Sequence, residues 1–369
     1  MNEETNEETN EGTEASETKT KPRKRKAPTF ELGIGLDIGT MNLVSARKKG
    51  SKIQTKRMRD CFLDLDLDAK KMLKLAKDVS YVEQEDRLLI LGDAAIETAN
   101  IFGREARRPL AGGIISSSEI DALEVLSILI ENVVGEPLED GEVCVYSIPA
   151  APLDNPDQDV LYHEAVFERI LGDLGYDAIS GNEALAIIYS ECADTMFSGI
   201  GISFGSGMTN IAMSYKTISI EDLEFSVQRG GDWIDGSSAK AVGSTSSKMC
   251  MIKESGLNLM DPSEGPEKFQ REREALVMYY RALISYAIDK ISKKFKSSKG
   301  NVELNEPIPI VISGGTSLAK GFVELFEQVF EKKRRRFPIE VSEIRHADDP
   351  MTAVAQGLLI QAMQEYGDE

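Results

Sequence analysis

Two glycine-rich segments of the sequence have the pattern of a phosphate-binding turn. The first reads GIGLDIGTMN at residues 33–42, and the second reads GIGISFGSGMTN at residues 199–210. Each segment starts as a short apolar strand, turns through small residues and continues into a second apolar strand. Because glycine lets backbone N–H groups approach a ligand without an intervening Cβ, successive amides in such a turn form an anion-binding nest. The pair predicts two hairpins that hold a polyphosphate from both sides.

A third glycine-rich element follows a buried strand. The sequence SGGTS at residues 313–317 comes after the apolar run 308–313 and before a helical pattern. The backbone there can approach a nucleotide closely, and a helix N-terminus favours negative charge. Together with the two turns, this element predicts a nucleotide site.

Strand-like runs alternate with helical patterns from Leu32 onward, which is typical of an α/β protein. Buried strands are predicted over 143–148 and 308–313. Four helices are predicted. The first is capped by Ser118 and has an apolar face made of Ile120, Leu123, Leu126, Ile130 and Val133. The others are predicted over about 157–174, over 273–295 and over 321–331.

Composition excludes several classes of protein. A chain of 369 residues with 41% hydrophobic residues can bury a sizeable core. Its net charge of −19 would repel phosphates, so no specific nucleic-acid contact is expected. Apolar runs such as 123–130 are broken by charge well short of the roughly 18 residues of a membrane span. Four separated cysteines indicate reduced thiols and a cytoplasmic location.

Residues 1–30 are of low complexity and are expected to form a disordered tail. Its acidic residues lie within 3–17, and a basic cluster follows at 21–26. Two interpretations of that cluster stay open: a solvated tail, or contact with an acidic protein or anionic lipid. The five cations at 332–336 leave the same choice between a solvated helix end and such a contact.

In their order along the chain these motifs resemble those of the actin-like ATPase superfamily, and the resemblance is closest to the bacterial actins MreB and MamK. It covers about residues 32–365. Ala184 stands where the family usually has proline. The motifs that carry the resemblance are LDIGT at 36–40, LGDAA at 91–95, RPLAGG at 108–113, SIPA at 147–150, NEALA at 182–186, GGD at 230–232, IKE at 252–254, SGGTS at 313–317 and DDPMTAVAQG at 348–357.

The resemblance implies two RNase H-like lobes with a nucleotide cleft between them. The expected division is a tail at 1–30, a first lobe at 31–152 with a small insert domain at about 51–110, a second lobe at 153–340, and a C-terminal helix at 341–369 that returns to the first lobe.

The resemblance also implies ATP and Mg²⁺ as cofactors and assigns the catalytic pair. Asp37 would hold Mg²⁺ or its waters, and Glu183 would position the attacking water for phosphoryl transfer. The alternative for Glu183 is an ordinary glutamate in a first helical turn. The other nucleotide-binding residues implied are Gly39, Thr40, Met41, Asn42, Gly205, Ser206, Gly207, Met208, Thr209, Gly231, Asp232, Lys253, Glu254, Gly314, Gly315 and Thr316.

The sequence departs from the family at one informative position. The second phosphate motif has Ser203 where the family usually has aspartate. A hydroxyl cannot supply the full negative charge that helps to position metal and water. Nucleotide binding with slowed hydrolysis, or a metal held in a changed way, is therefore expected.

The function implied by the resemblance is that of an actin-like ATPase, whose ATP state couples to assembly with copies of itself into filaments that position or move cargo. Polymerisation rests on the resemblance alone. A non-polymerising ATP-binding adaptor, favoured by Ser203, and a small-molecule kinase remain as alternatives. A heat-shock chaperone is not expected, because it would carry a peptide-binding domain after the ATPase, and this chain ends 19 residues after Pro350.

Overall fold

The computed structural model describes residues 29–73, 81–84, 87–155, 157, 160–297 and 304–366. The predicted tail lies outside these residues except at its end, and its basic cluster at 21–26 lies entirely outside them. Among the described helices, none is long and apolar enough to span a membrane.

The strands fall into two series along the chain. The first series is β1 (Ile34–Ile38), β2 (Asn42–Lys49), β3 (Lys52–Arg59), β4 (Phe62–Asp66), β5 (Tyr81–Gln84), β6 (Arg87–Leu91), β7 (Leu110–Ala111), β8 (Ile114–Ile115), β9 (Glu142–Ile148) and β10 (Tyr176–Asn182). The second series is β11 (Gly199–Phe204), β12 (Thr209–Tyr215), β13 (Ile218–Ser219), β14 (Phe225–Val227), β15 (Ile308–Ser313) and β16 (Val341–His346).

The helices connect these strands and cover their faces. They are α1 (Lys70–Leu73), α2 (Asp93–Phe102), α3 (Ala122–Val134), α4 (Leu161–Asp173), α5 (Glu183–Glu191), α6 (Gly231–Val242), α7 (Ser246–Glu254), α8 (Gln270–Ser297), α9 (Phe322–Glu331) and α10 (Ala353–Gln364).

The two large sheets share one topology. The first has the order β10-β9-β1-β2-β3, in which β2 is antiparallel to both β1 and β3, while β9 and β10 run parallel to β1. The second has the equivalent order β16-β15-β11-β12-β14 with the same directions, and β13 also pairs with β12. The chain between β3 and α3 forms the small sheet β4-β6-β5 and the ladder β7-β8. The repeated segments thus occupy equivalent hairpins in two similar lobes.

Two helices cross between the lobes. Helix α5 follows β10 of the first sheet but packs on β11 and β12 of the second. Helix α10 follows β16 of the second sheet but packs on β1 and β9 of the first, and the two helices contact each other. Their apolar side chains form a shared core with β9 and β15, between the separate cores of the two lobes.

Glycine makes these crossings close. A Cβ on Gly35 of β1 would lie 2.1 Å from the carbonyl oxygen of Ala355 in α10, and one on Gly201 of β11 would lie 2.2 Å from that of Ala184 in α5. A Cβ on Gly357 of α10 would lie 1.8 Å from the carbonyl oxygen of Ala186. The second glycine of each repeated segment is therefore required for packing between strand and helix rather than for ligand approach.

Several predicted elements match the structure closely. The predicted strand over 308–313 is β15, and the one over 143–148 lies within β9. The helix predicted over 273–295 lies within the longer α8, and the one over 321–331 is α9 with its five predicted apolar residues buried.

Two predicted helix starts are wrong. Ser118 does not cap α3, which begins at Ala122, and Ile120 is 96% exposed with Leu123 also exposed. The guanidinium of Arg107 binds the carboxylates of Glu119 and Asp121, which holds this segment in turns before the helix. The helix predicted from 157 begins at Leu161.

The chain passes between the lobes later than the expected division placed it. The expected second lobe began at residue 153, and β10 over Tyr176–Asn182 lies in the first sheet. The expected C-terminal helix began at residue 341, and residues 341–346 form β16 of the second sheet before α10 returns to the first.

The glycine contact between α10 and α5 gives a stability prediction. Gly357→Ala should lower the free energy of unfolding by about 3 kcal/mol, because the new methyl group collides with backbone that a rotamer change cannot move. Gly172→Ala in α4 is the matched control, since a Cβ there meets nothing within 4 Å. The control should gain about 0.5–1 kcal/mol from its helical position. Urea unfolding measures both, and equal midpoints for the two variants would contradict this packing.

Candidate functional site

A cleft of about 520 Å³ opens between the two lobes. Both repeated hairpins, the end of α7 and the turn after β15 contribute to its walls. Thr209, Gly231 and Asp232 do not line the cleft. The predicted site residues that line it are Asp37, Gly39, Thr40, Met41, Asn42, Glu183, Gly205, Ser206, Gly207, Met208, Lys253, Glu254, Gly314, Gly315 and Thr316.

The two hairpin turns have the same geometry. In the first, the N–H of Gly39 donates to the carbonyl of Asn42 over 3.0 Å, and in the second Gly205 donates to Met208 over 3.0 Å. Within the described part of the chain, the backbone amides of the two central residues of each turn donate to no protein acceptor. These amides belong to Thr40, Met41, Ser206 and Gly207. They are the donors that an anion in the cleft would use.

Close backbone contacts hold the three glycine-rich elements together. A Cβ on Gly207 would lie 2.3 Å from the amide nitrogen of Gly113, in the loop before β8. Gly314 has a φ of +92°, and its position against Phe204 leaves no room for a Cβ. The hydroxyl of Thr316 donates to the carbonyl of Gly205 over 2.8 Å. The turn after β15 continues as a 3₁₀ helix over Gly315–Leu318, and α9 begins only at Phe322.

Asp37 is a half-buried carboxylate at the end of β1 that lines the cleft. It accepts a hydrogen bond of 3.1 Å from the hydroxyl of Ser147 on β9, its neighbour in the sheet. Burial raises the pKa of Asp37 to about 7, and this hydrogen bond opposes the rise. The sequence analysis did not identify Ser147 as a site residue, although a polar residue within the apolar run 143–148 was a usable signal.

Glu183 is the first residue of α5 and points into the same space. The side chain of Asn182 caps this helix by accepting from the amides of Ala184 and Leu185 over 2.9 and 3.0 Å. Burial, together with the nearby negative charge of Asp37, raises the pKa of Glu183 to about 8. The cap fixes the start of the helix and thereby the position of the carboxylate.

Two neutral groups of the second lobe orient Glu183. The hydroxyl of Ser203 on β11 donates to one carboxylate oxygen over 3.0 Å, and the amide of Asn210 on β12 donates to the other. The Asn210 carbonyl oxygen accepts from the backbone of Ala150 over 3.2 Å. Asn210 is a further site residue that the sequence analysis missed, and it too is a polar residue in an apolar strand.

The two carboxylates fit a divalent cation. Neither Asp37 nor Glu183 forms an ion pair within the described chain, and burial disfavours the charged form of both. A cation between them would favour both charged forms. Mg²⁺ takes one or two carboxylates and completes its shell with water and phosphate oxygens. The described residues contain no cluster of three or more metal-ligating side chains, and none is needed for such a site.

Ion pairs engage two of the predicted nucleotide-binding residues, Lys253 and Glu254. The ammonium group of Lys253 lies 2.6 Å from the Asp235 carboxylate. The carboxylate of Glu254 accepts from Arg59 of β3 over 3.3 and 3.4 Å, which joins the second lobe to the first. Arg59 also lies 3.4 Å from Asp93 of α2. The sequence analysis gave no role to Arg59, because nothing local marks its distant partner.

A second ion pair also joins the lobes. Arg108 binds Asp232 of α6 over 3.0 Å, and the same carboxylate accepts from Ser206 of the second hairpin over 2.8 Å. Asp232 therefore holds the turn of the second hairpin through Ser206, although Asp232 itself does not line the cleft.

Comparisons with known proteins identify the fold. A model of the Volactin family matches residues 32–362. The structure titled "MamK double helical filament" is 18% identical with a TM-score of 0.68, and the match covers 89% of this chain and 98% of that one. MreB5 of Spiroplasma citri bound to AMPPNP is 14% identical with a TM-score of 0.63, and the match covers 91% and 97%.

A third solved structure is more distant. The ethanolamine utilization protein EutJ of Carboxydothermus hydrogenoformans is 15% identical with a TM-score of 0.51, and the match covers 91% of both chains. The search of curated proteins found no match. At these identities the likeness shows the fold alone, and it confirms the predicted α/β, actin-like fold.

The raised pKa of Glu183 predicts a pH dependence of stability. Because this pKa rises from 4.5 to about 8 on folding, the folded chain binds the extra proton, and stability falls as pH rises through that interval. Glu183→Gln removes this titratable group, so the free energy of unfolding of the variant should rise relative to that of the wild type between pH 5 and pH 8. Urea unfolding in EDTA measures it. Glu327→Gln, an exposed change on α9, should show no such growth, and a pH-independent difference for Glu183→Gln would contradict the assignment.

Proposed function

Since the chain belongs to the Volactin family and has the actin-like fold, we propose that it is a cytoskeletal ATPase that binds ATP with Mg²⁺ in the cleft and assembles into nucleotide-dependent filaments. One observation carries this proposal: two equivalent turns, each with free backbone amides, flank a pair of half-buried carboxylates. A polyphosphate with a bound cation complements that arrangement in charge and in shape.

In this proposal the phosphate chain lies between the two hairpins. The free amides of the first turn, at Thr40 and Met41, bind it from one lobe, and those of the second turn bind it from the other. The nucleoside lies toward Lys253 and the turn at 314–316. Asp37 holds the Mg²⁺ shell, and the cation supplies charge neutralisation and Lewis-acid polarisation of a phosphoryl oxygen when bound.

Glu183 is proposed to position the attacking water. Its two oxygens are held by Ser203 and Asn210, so the carboxylate has a fixed direction before any ligand enters. A water that donates to this carboxylate would be oriented for in-line attack. Because Ser203 contributes a hydroxyl and no charge, the site has one carboxylate fewer than the family pattern, and hydrolysis is expected to be slow.

Assembly into filaments is the part of the proposal that depends most on relatives. One related structure is described as a MamK filament, and another as a non-polymerising MamK mutant bound to AMPPNP. A nucleotide that contacts both lobes would fix their relative orientation. Repeated head-to-tail contacts between such fixed copies extend without closing. A cytoplasmic location and the positioning of cargo belong to the same proposal.

A non-polymerising ATP-binding adaptor of the same fold is the second candidate. Ser203 favours it, because a site poor in negative charge suits nucleotide binding without turnover. A small-molecule kinase is less favoured, since the cleft residues are accounted for by the nucleotide. Contact of the basic cluster at 21–26 with an acidic protein or lipid stays a prediction.

Sedimentation tests the filament proposal directly. The purified chain with Mg²⁺ and ATP, or a slowly hydrolysed ATP analogue, should pellet as ordered filaments visible by electron microscopy, because the closed cleft favours assembly. Samples with ADP or without nucleotide should stay largely in the supernatant. A chain that binds ATP and remains monomeric over a wide concentration range would favour the adaptor.

The rate of ATP hydrolysis should depend on the charge of the side chain at position 203. Ser203→Asp should raise steady phosphate release with ATP and Mg²⁺ by about tenfold, because it restores a charge beside the metal and water. The same variant should be less stable without Mg²⁺, since a third buried carboxylate then faces Glu183. Ser203→Ala is the control that removes the hydroxyl without adding charge. Unchanged phosphate release from Ser203→Asp would contradict this account of the substitution.

A further inference from the structure

Among the described residues, four cations line the cleft, and all but Arg57 have a carboxylate partner. Arg59 pairs with Glu254 and Asp93, Lys253 pairs with Asp235, and Lys320 pairs with Glu264. Within the described residues, Arg57 has no carboxylate within 4 Å. We propose that Arg57 binds the phosphate chain of the nucleotide. This inference rests on the proposed function, because it names a further ligand-binding residue of the same site.

The strand register places Arg57 on the cleft side of the first sheet. Arg57 on β3 lies opposite Val44 on β2, and Val44 lies opposite Asp37 on β1. Directly opposed residues share one face of a sheet, so these three side chains form a row. Two strand spacings separate the Cα atoms of Arg57 and Asp37 by about 10 Å. An extended arginine spans most of that distance, and Val44 is too short to block it.

Two lysines of β3 lie on the opposite face of the sheet. Lys56 donates to the carbonyl of Asn132 in α3, on the face opposite to the cleft. Lys52 lies an even number of residues from Lys56 and therefore shares that face. Such lysines protect an exposed edge strand from pairing with other chains. Because side chains alternate between the two faces of a strand, Arg57 lies on the face opposite to Lys52 and Lys56, which is the face that carries Asp37.

The charges of the cleft account for a cation at this position. Asp37 and Glu183 line the cleft where a triphosphate and its cation would lie, and among the described residues the other cations that line the cleft are already engaged by carboxylates. Of the cleft cations that the structure describes, an entering nucleotide would therefore meet the Arg57 guanidinium as the one without a carboxylate partner. A guanidinium can pair with two phosphate oxygens at once, and such charge-assisted hydrogen bonds are among the strongest in proteins.

Nucleotide titration tests this assignment. Mg²⁺-ATP, Mg²⁺-ADP, tripolyphosphate and adenosine would be titrated calorimetrically into the full chain and into Arg57→Gln, below the concentration of any assembly. The variant should bind ATP and tripolyphosphate roughly ten- to a hundredfold more weakly, as expected for loss of hydrogen bonds to a charged group. Adenosine binding should not change.

Two further variants make the result specific. Lys52→Gln removes the same charge from the other face of β3 and should leave all four affinities unchanged. Arg57→Lys keeps the charge without the planar fork and should fall between the wild type and Arg57→Gln. Arg57 is exposed, so the variants should unfold at the wild-type temperature, which a thermal scan verifies.

The outcomes separate the inference from the proposed function. ATP binding by Arg57→Gln at wild-type affinity would overturn the role of Arg57 and leave the nucleotide site standing. An equal weakening of adenosine and ATP would overturn it as well, since it would indicate a disturbed cleft. A wild-type chain that binds none of the four probes would instead reject the proposed function, and this inference with it.

Discussion

The close crossing of α5 and α10 between the two sheets is the constraint on which the rest of the structure depends. Each helix belongs by chain order to one lobe and by packing to the other, and the missing side chains at Gly35, Gly201 and Gly357 allow the contact. The first residue of α5 is Glu183, so the crossing delivers a carboxylate from the end of β10 to Ser203 of the opposite lobe. A small change in this packing would move the Glu183 carboxylate relative to both hairpin turns.

Burying two carboxylates in one cleft without a cation is unfavourable, and the hydrogen bonds around them only partly offset that cost. The hydroxyl of Ser147 donates to Asp37, while Ser203 and Asn210 donate to Glu183, and both pKa values stay raised. A cation bound together with an anion would therefore stabilise this site. The ion pairs Arg59–Glu254 and Arg108–Asp232 hold the lobes together across this charged space.

Local signals in the sequence predicted much of the fold. The apolar patterns predicted the bounds of β15 and α9 to within one residue, because the burial of a continuous segment is encoded in that segment's own residue types. The start of α3 was mispredicted because Arg107 holds the preceding turns through ion pairs that span 12 and 14 residues. The partners of Glu254 and Asp232 lie 195 and 124 residues away, which no local pattern encodes. The resemblance implied both acids as nucleotide-binding residues, and the fold pairs each of them with an arginine of the first lobe.

The two hairpins are equivalent in topology and different in chemistry. At matched positions the first pairs Asp37 with Val44, and the second pairs Ser203 with Asn210. The first lobe thus supplies a charge that can hold a cation, while the second supplies neutral dipoles that direct Glu183. If both positions carried carboxylates, Glu183 would meet repulsion from two sides, and its pKa would rise further without a metal. In the proposed function, a neutral Ser203 would let Glu183 take its position before a nucleotide binds, and it would also weaken the electrostatic stabilisation that drives hydrolysis.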